Sequence, residues 1–151
     1  MPRIRAKSLD GHEITIPGDS KVQAFVISFG FSHKSDKAVE DWDKRIGPLY
    51  ANDTRVAYYE MPVLEGVPGM VKPFILHGMK RAVPKKEHSR FAPLYHNESA
   101  LKKVVGFEEA QPAAAYVVVA TSRGKVVWAS HAPVSDAEFE TLQKAVAGLL
   151  Q

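Results

Sequence analysis

Residues 22–29, VQAFVISF, are apolar at nearly every position and rich in β-branched and aromatic side chains. Such a run suits a strand buried on both sheet faces, so whatever fold contains it must supply cover on each side. The period then changes. After Gly30-Phe31-Ser32-His33-Lys34-Ser35, apolar residues recur at Val39, Trp42, Ile46 and Leu49, one stripe of a helix whose other positions are mostly Asp, Glu, Lys and Arg. Strand, short turn and helix form the entry unit of several ligand-binding α/β folds, where chemistry sits between the strand's carboxyl end and the helix's amino end. Here that junction holds no cysteine and no phosphate-cradling glycine pattern.

The flanking chain reads as further α/β elements. Short β-type runs at 3–7 and 13–16 enclose Leu9-Asp10-Gly11-His12, and an Asp-Gly pair between such runs marks a hairpin. Pro17-Gly18-Asp19 then breaks the chain, Ser32 or Ser35 caps the first helix, and Gly47-Pro48 weakens it near Ile46. Residues 55–61, RVAYYEM, form a second strand that a helical crossover places parallel to the first; Tyr58 and Tyr59 alternate, so at most one points inward. Residues 62–68 are a loop. Met70, Val71, Phe74, Ile75 and Met79 have helical spacing around Pro73, so that helix either starts close to Val71 or is kinked.

Residues 82–89 are basic and proline-interrupted, an exposed loop, and 91–96 make a brief edge strand demoted by Pro93. Asn97 or Glu98 opens a short helix through Leu101, Val104 and Val105 that Gly106 closes. Residues 114–121 and 126–130 are β runs joined by Ser122-Arg123-Gly124-Lys125, an antiparallel hairpin. Ser135-Asp136-Ala137-Glu138 is a capping box, leading a final helix through Phe139, Leu142, Val146 and Leu149. The order is β-hairpin, β-α-β, a helical excursion, then β-β-α: one domain over residues 1–151, with a core of ordinary size for that length.

Composition removes several function classes. Without cysteine the chain performs no thiol–disulfide exchange, offers no thiol nucleophile and builds no thiolate metal site. Its net charge of +3 is mild, and the basic stretch around Lys85 and Lys86 lacks the interleaved aromatics of a nucleic-acid surface, so no nucleic acid is expected as partner. No apolar run spans a bilayer and the N-terminal residues lack a signal-peptide core, so no membrane insertion is expected; the compartment, cytoplasmic or periplasmic, stays open. Ser32, His33 and Ser35 invite a catalytic reading, yet neighbouring serine and histidine do not make a nucleophile with its base, and capping accounts for both hydroxyls. A helix N-terminus there could still receive an anion or carboxylate.

Of the six histidines, His33 and His131 are the pair whose placement admits a metal, but no paired ligand motif is present and no metal or cofactor is expected. Trp42, Phe74, Tyr116 and Trp128 are read as core; Met70, Ile75 and Met79 as core or a partner groove. Glu40, Asp41 and Asp43 lie mostly on the helix's solvent side, where nothing separates their proton affinities.

The element order resembles the thioredoxin-like superfamily. The 9–16 segment LDGHEITI is similar to the hairpin preceding the core of redoxin and peroxiredoxin-type domains, Ser32 and Ser35 hold the spacing of a Cys-x-x-Cys, and Pro112 precedes a strand as that superfamily's cis-proline does. The resemblance implies a thioredoxin-like α/β fold, a central mixed sheet flanked by helices with an N-terminal β-hairpin extension. It makes Ser32, His33, Ser35 and Pro112 a degenerate redox-site surface. Residues 115–119 and 124–129, the Trp42 helix and the 59–65 segment YEMPVLE further resemble the mitochondrial ATP synthase assembly factor family and its bacterial relatives. That likeness implies a non-catalytic, protein-binding, assembly or chaperone-like factor, its partner a protein such as a membrane-complex subunit. The expected binding surface is the 30–35 turn, the Pro112 approach and the basic loop at Lys85 and Lys86. The alternative is a redoxin-derived enzyme or small-anion-binding domain without thiol chemistry.

Overall fold

The structure, a computed structural model, describes residues 1–18 and 21–151. The run at 22–29 becomes β3, Ala24–Gly30, in which all seven residues are buried. It lies at the centre of a four-stranded sheet, flanked on one side by β4, Val56–Pro62, and on the other by β5, Ala115–Thr121, beyond which lies β6, Val126–Ser130. β4 is parallel to β3, β5 antiparallel to it and β6 antiparallel to β5, so the first and last halves of the chain share one mixed sheet. A separate antiparallel hairpin, β1 at Ile4–Lys7 and β2 at Glu13–Ile16, turns at Gly11, whose φ of +90° favours glycine. The break expected at 17–19 extends to Asp19, which lies outside the described residues.

Each sheet face receives its own cover. On one side α1, Asp36–Tyr50, and α4, Asp136–Ala147, pack Trp42, Ile46, Leu142 and Val146 onto Ala24, Val26, Val117 and Val119. On the other, the hairpin, α3 at Glu98–Val105 and residues 92–94 bring Ile4, Ile16, Leu94 and Leu101 against Phe25, Ile27, Phe29 and Val118. The caps follow the sequence. Ser135 Oγ accepts from Glu138 N–H at 3.1 Å, and Gly106 ends α3 in the left-handed region.

Several local expectations are corrected. α1 runs through Pro48 to Tyr50, closed by Ala51 N–H donating to Gly47 O, so a proline this close to the helix's end removes a donor without ending it. The inward stripe follows i+4 from Ile46 to Tyr50, leaving Leu49 48% exposed. Tyr58 is buried against α1 while Tyr59 packs partly against the opposite core, since both sheet faces are covered. α2, Lys72–Ala82, begins beside Val71 with Pro73 in its first turn, but none of its residues is buried, and Phe74 is 79% exposed instead of core. The 82–89 stretch holds a 3₁₀ turn, Lys85–Glu87. Residues 91–94 meet β4 and the residue after it through isolated parallel bridges, Glu60 to Phe91 and Val63 to Leu94, the pairing that Pro93 permits.

Trp42 is fully buried, donates Nε1–H to Ala132 O at 3.2 Å and meets Trp128 edge-on at 6.1 Å, joining α1 to the β6–α4 connection. Trp42→Ala is expected to cost about 3–5 kcal/mol in urea denaturation. Leu49→Ala, on the exposed side, should stay within about 0.5 kcal/mol. The reverse ranking would mean that α1 presents a different face to the sheet.

Candidate functional site

The structure divides the surface expected around the β3–α1 turn. Ser32 Oγ accepts from Lys34 N–H at 3.1 Å and so caps a 3₁₀ turn, His33–Ser35, that precedes α1. His33 is 98% exposed, its Nδ1 3.2 Å from Asp36. Ser35 turns inward: it is buried, and its hydroxyl donates to Ser32 O at 2.6 Å. Pro112 is exposed and lines a separate cleft of about 360 Å³ with Ala38, Asp41 and His131. β3–β5 pairing sets Ala115 opposite Gly30, so Pro112 and Ser32 leave the sheet at the same end, yet Ser35 and Pro112 face different spaces. Gln111–Pro112 is a trans bond, the cis bond among the described residues being Ile16–Pro17, so the likeness to the superfamily's cis-proline stops at position.

An aromatic cluster stands where the turn meets the β5 approach. Phe31 packs edge-on to Phe107 at 5.2 Å and to Tyr116 at 5.6 Å, and His131 stacks on Tyr116 at 5.2 Å with Nε2 3.5 Å from Glu108. His131 is therefore engaged in this cluster and His33 in solvent. Among the described residues no group of three His, Asp or Glu side chains is arranged to hold a metal ion. Lys85 and Lys86 are exposed on the 3₁₀ turn after α2.

A concavity of about 560 Å³, which Gly30 and Ser35 help to line, opens at the carboxyl ends of β3 and β4 between α1 and the α2–3₁₀ segment. Its origin lies in strand register. On the α1 side of the sheet β3 presents Ala24, Val26 and Ser28, and β4 presents Val56, Tyr58 and Glu60, so apolar pairs give way to a Ser28–Glu60 pair. Gly30 continues that row and lets Ser35 approach, since a Cβ at position 30 would lie 2.5 Å from Ser35 Oγ. From α1 come Asp36, Val39, Glu40 and Asp43; from α2 and beyond come Met79, Ala82, Val83, Pro84 and Glu87.

The polar side chains form one network. Tyr58 Oη is 2.7 Å from Asp43 Oδ1 and 3.1 Å from Glu60 Oε1. Arg90 Nη2 donates to Glu87 Oε1 at 2.8 Å and to Asp43 Oδ1 at 3.4 Å, and its guanidinium lies over the Tyr58 ring at 5.5 Å. Arg90 is carried there by backbone bonds on β4's outer edge, Glu60 N–H to Arg90 O and Ala92 N–H to Glu60 O, each 2.8 Å. Burial, with Asp43's hydrogen bond and charge added, pushes the Glu60 carboxyl up to about 9. Burial also works against ionisation of Asp43, but hydrogen bonds from Glu60 and Tyr58 and the charge of Arg90 outweigh it, and its pKa falls below 3.8. A neutral acid thus stands beside an ionised one, a division that environment alone creates. Burial, then the Asp43 charge, raises Glu87, and burial followed by Glu60 and Asp43 puts Tyr58 well above 10.

Asp43 was expected mostly on the solvent side, yet its side chain is only 17% exposed, because residues 87–90 fold across α1 and cover it. The signal available in the sequence was Glu60, a lone charge inside the apolar run VAYYEM, and Ser28 inside AFVISFG.

Two consequences are measurable. Gly30→Ala should destabilise the fold by about 1–3 kcal/mol. In a Ser35→Ala background most of that loss should disappear, because the next contact, to Ser35 Cβ, is an ordinary 3.6 Å; equal losses in both backgrounds would remove Ser35 as the reason for the glycine. Unfolded, Glu60 titrates near 4.5; folded, it holds its proton to about 9. Between those values the folded chain binds a proton that the unfolded chain has released, so stability falls as pH rises, by up to about 1.4 kcal/mol per unit. Glu87 acts in the same direction, whereas the Asp43 contribution is lost only as pH falls through its lowered value. Urea denaturation between about pH 5 and 9 should show this slope flattened in Glu60→Gln, and an unchanged slope would contradict a neutral buried Glu60.

No protein-family model matches the chain, and no curated protein sequence does. Solved structures do. The exposed lipoprotein thioredoxin Etrx1 of Streptococcus pneumoniae is 16% identical with a TM-score of 0.62, covering 95% of this chain and 99% of that one. A thiol-disulfide oxidoreductase from Bacteroides fragilis is 13% identical at TM-score 0.59, covering 99% and 98%. A SCO1/SenC family lipoprotein from Bacillus anthracis is 15% identical at TM-score 0.59, covering 100% and 95%. Over essentially its whole length this chain has the thioredoxin-like fold.

Proposed function

We propose that this protein is a non-catalytic thioredoxin-fold factor that binds another protein during assembly of a larger complex. The observation that carries the reading is α2. None of the eleven residues of this helix is fully buried, and Met70, Val71 and Phe74 are exposed at its amino-terminal end, Met70 by 87% and Phe74 by 79%. A helix normally derives its stability from an apolar face in the core, so one that keeps such residues outside is provisioned for a partner. Lys80 and Arg81 close α2, and Lys85 and Lys86 follow on the next turn, giving the surface an apolar beginning and a basic end. Chemistry by thiols is unavailable to a chain without cysteine.

The sequence resemblance to the ATP synthase assembly factor family supplies the partner class, a subunit of a membrane complex. No helix among the described residues is long and apolar enough to cross a membrane, so this reading places the chain beside the membrane and not in it. Two structural neighbours are lipoproteins, which supports an extracytoplasmic setting. The alternative, a small-anion site at Ser32, His33 and Ser35, has weaker support. Ser35 faces a cavity lined with carboxyls, and His33 points to solvent beside Asp36.

The test is photocrosslinking from position 74 in membranes of the source organism, with mass spectrometry of the captured protein. A single membrane-complex subunit is expected, with capture reduced at least about tenfold by Met70→Ser or by Lys85→Glu with Lys86→Glu. Recovery unchanged in both variants discards α2 and its basic end as the docking surface.

A further inference from the structure

The cavity at the carboxyl ends of β3 and β4 has a use that partner docking does not explain. Its lining carries five carboxyl groups, Asp36, Glu40, Asp43, Glu60 and Glu87, against one lysine, Lys44, in a chain whose net charge is +3. The outer groups are partnered: Asp36 by His33, Glu40 by Lys44, and both Glu87 and Asp43 by Arg90. Glu60, at the base and only 9% exposed, has no basic side chain within ion-pair distance among the described residues. Beside it in strand register is Ser28, 1% exposed, a residue of the cavity lining whose Oγ has no hydrogen-bond partner among the described residues. An unmade hydrogen bond at a buried hydroxyl costs free energy that a ligand would return. Above this polar base the walls are apolar, formed by Val39, Met79, Ala82 and Phe91.

We propose that this cavity binds the ammonium group of a primary alkylamine, seated among Glu60, Asp43 and Ser28 Oγ, with the alkyl chain against Val39, Met79 and Ala82. An ammonium has three donors and no acceptor, matching three acceptor groups. A strongly hydrated metal ion would gain nothing from the apolar walls, and an anion would meet the carboxyls. Glu60 is faced by Asp43 from α1, by Tyr58 from its own strand, and by Glu87 and Arg90 from the far side, with Asp36, Glu40 and Lys44 at the rim. A cation arriving at Glu60 displaces its proton to the solvent, so one charge enters and one proton leaves. Binding therefore strengthens as pH rises toward about 9.

The experiment uses the full chain and n-butylammonium chloride, followed by calorimetry in two buffers of different ionisation enthalpy. Saturable binding with about one proton released near pH 7, tightening roughly tenfold per pH unit between pH 6 and 8, is expected. Glu60→Gln, which keeps a neutral group of the same size, should weaken it at least about tenfold, and Ser28→Ala by about three- to tenfold. Met79→Trp fills the space from the α2 wall without touching the carboxyls and should abolish binding. Nα-acetyl-lysine amide serves as a second probe: binding as tight as butylammonium assigns the ammonium to a lysine side chain, and exclusion assigns it to a free amine. No saturation up to about 50 mM, equal binding of n-butanol, or full affinity in both Glu60→Gln and Met79→Trp overturns the proposal. None of these readouts depends on whether α2 docks a protein.

Discussion

Complete burial of β3 is the constraint on which the other elements depend. A strand with no exposed residue needs hydrogen-bonding neighbours on both edges and apolar cover on both faces, and this chain meets the four demands with segments from its whole length. β4 and β5 take the edges. α1 and α4 take one face, and the amino-terminal hairpin, α3 and residues 92–94 take the other. The hairpin is therefore no appendage: Ile4 and Ile16 are as deep as the residues of the sheet, and Ile14 is buried with them.

The same constraint places the acidic cavity. Toward their carboxyl ends β3 and β4 exchange apolar side chains for Ser28 and Glu60 on the α1 face, and a polar pair under a helix cannot be close-packed as valine is. The space left is closed from the side by α2 and the chain after it, and α2 contributes cavity wall with no fully buried residue of its own. Two features that first look unrelated, an under-packed helix and a neutral buried glutamate, are two sides of one local departure from core packing. Proteins tolerate such departures where a site is kept, because good packing there would fill it.

How far the sequence could be read follows from which forces act locally. Strand and helix positions, the Asp-Gly hairpin, the Ser135 cap and the Gly106 stop depend on neighbours in the chain, and they fall where side-chain periodicity places them. The cysteine-free turn was visible for the same reason. Errors arise where tertiary packing decides. Phe74 has the spacing of a core residue yet faces water, because no element lies over α2; Asp43 has the spacing of a surface residue yet is covered, because residues 87–90 cross α1. Likewise Ser35 and Pro112 were grouped by analogy with a redox centre, while the fold gives each a different cleft. The network of Asp43, Tyr58, Glu60, Glu87 and Arg90 spans three distant segments, and one sequence cannot announce such a meeting beyond the oddity of a glutamate inside a buried strand.

The two isolated bridges made by residues 91–94 carry a further meaning. That short stretch seals a sheet margin that would otherwise offer unpaired donors and acceptors to other chains, and Arg90 stands at its head. Selvage and counter-ion are thus one piece of polypeptide: peeling it away bares an adhesive border and, in the same motion, withdraws the positive charge that adds to the Glu60 and Tyr58 hydrogen bonds in keeping Asp43 an anion. Solubility and the electrical state of the cavity are fastened by a single seam.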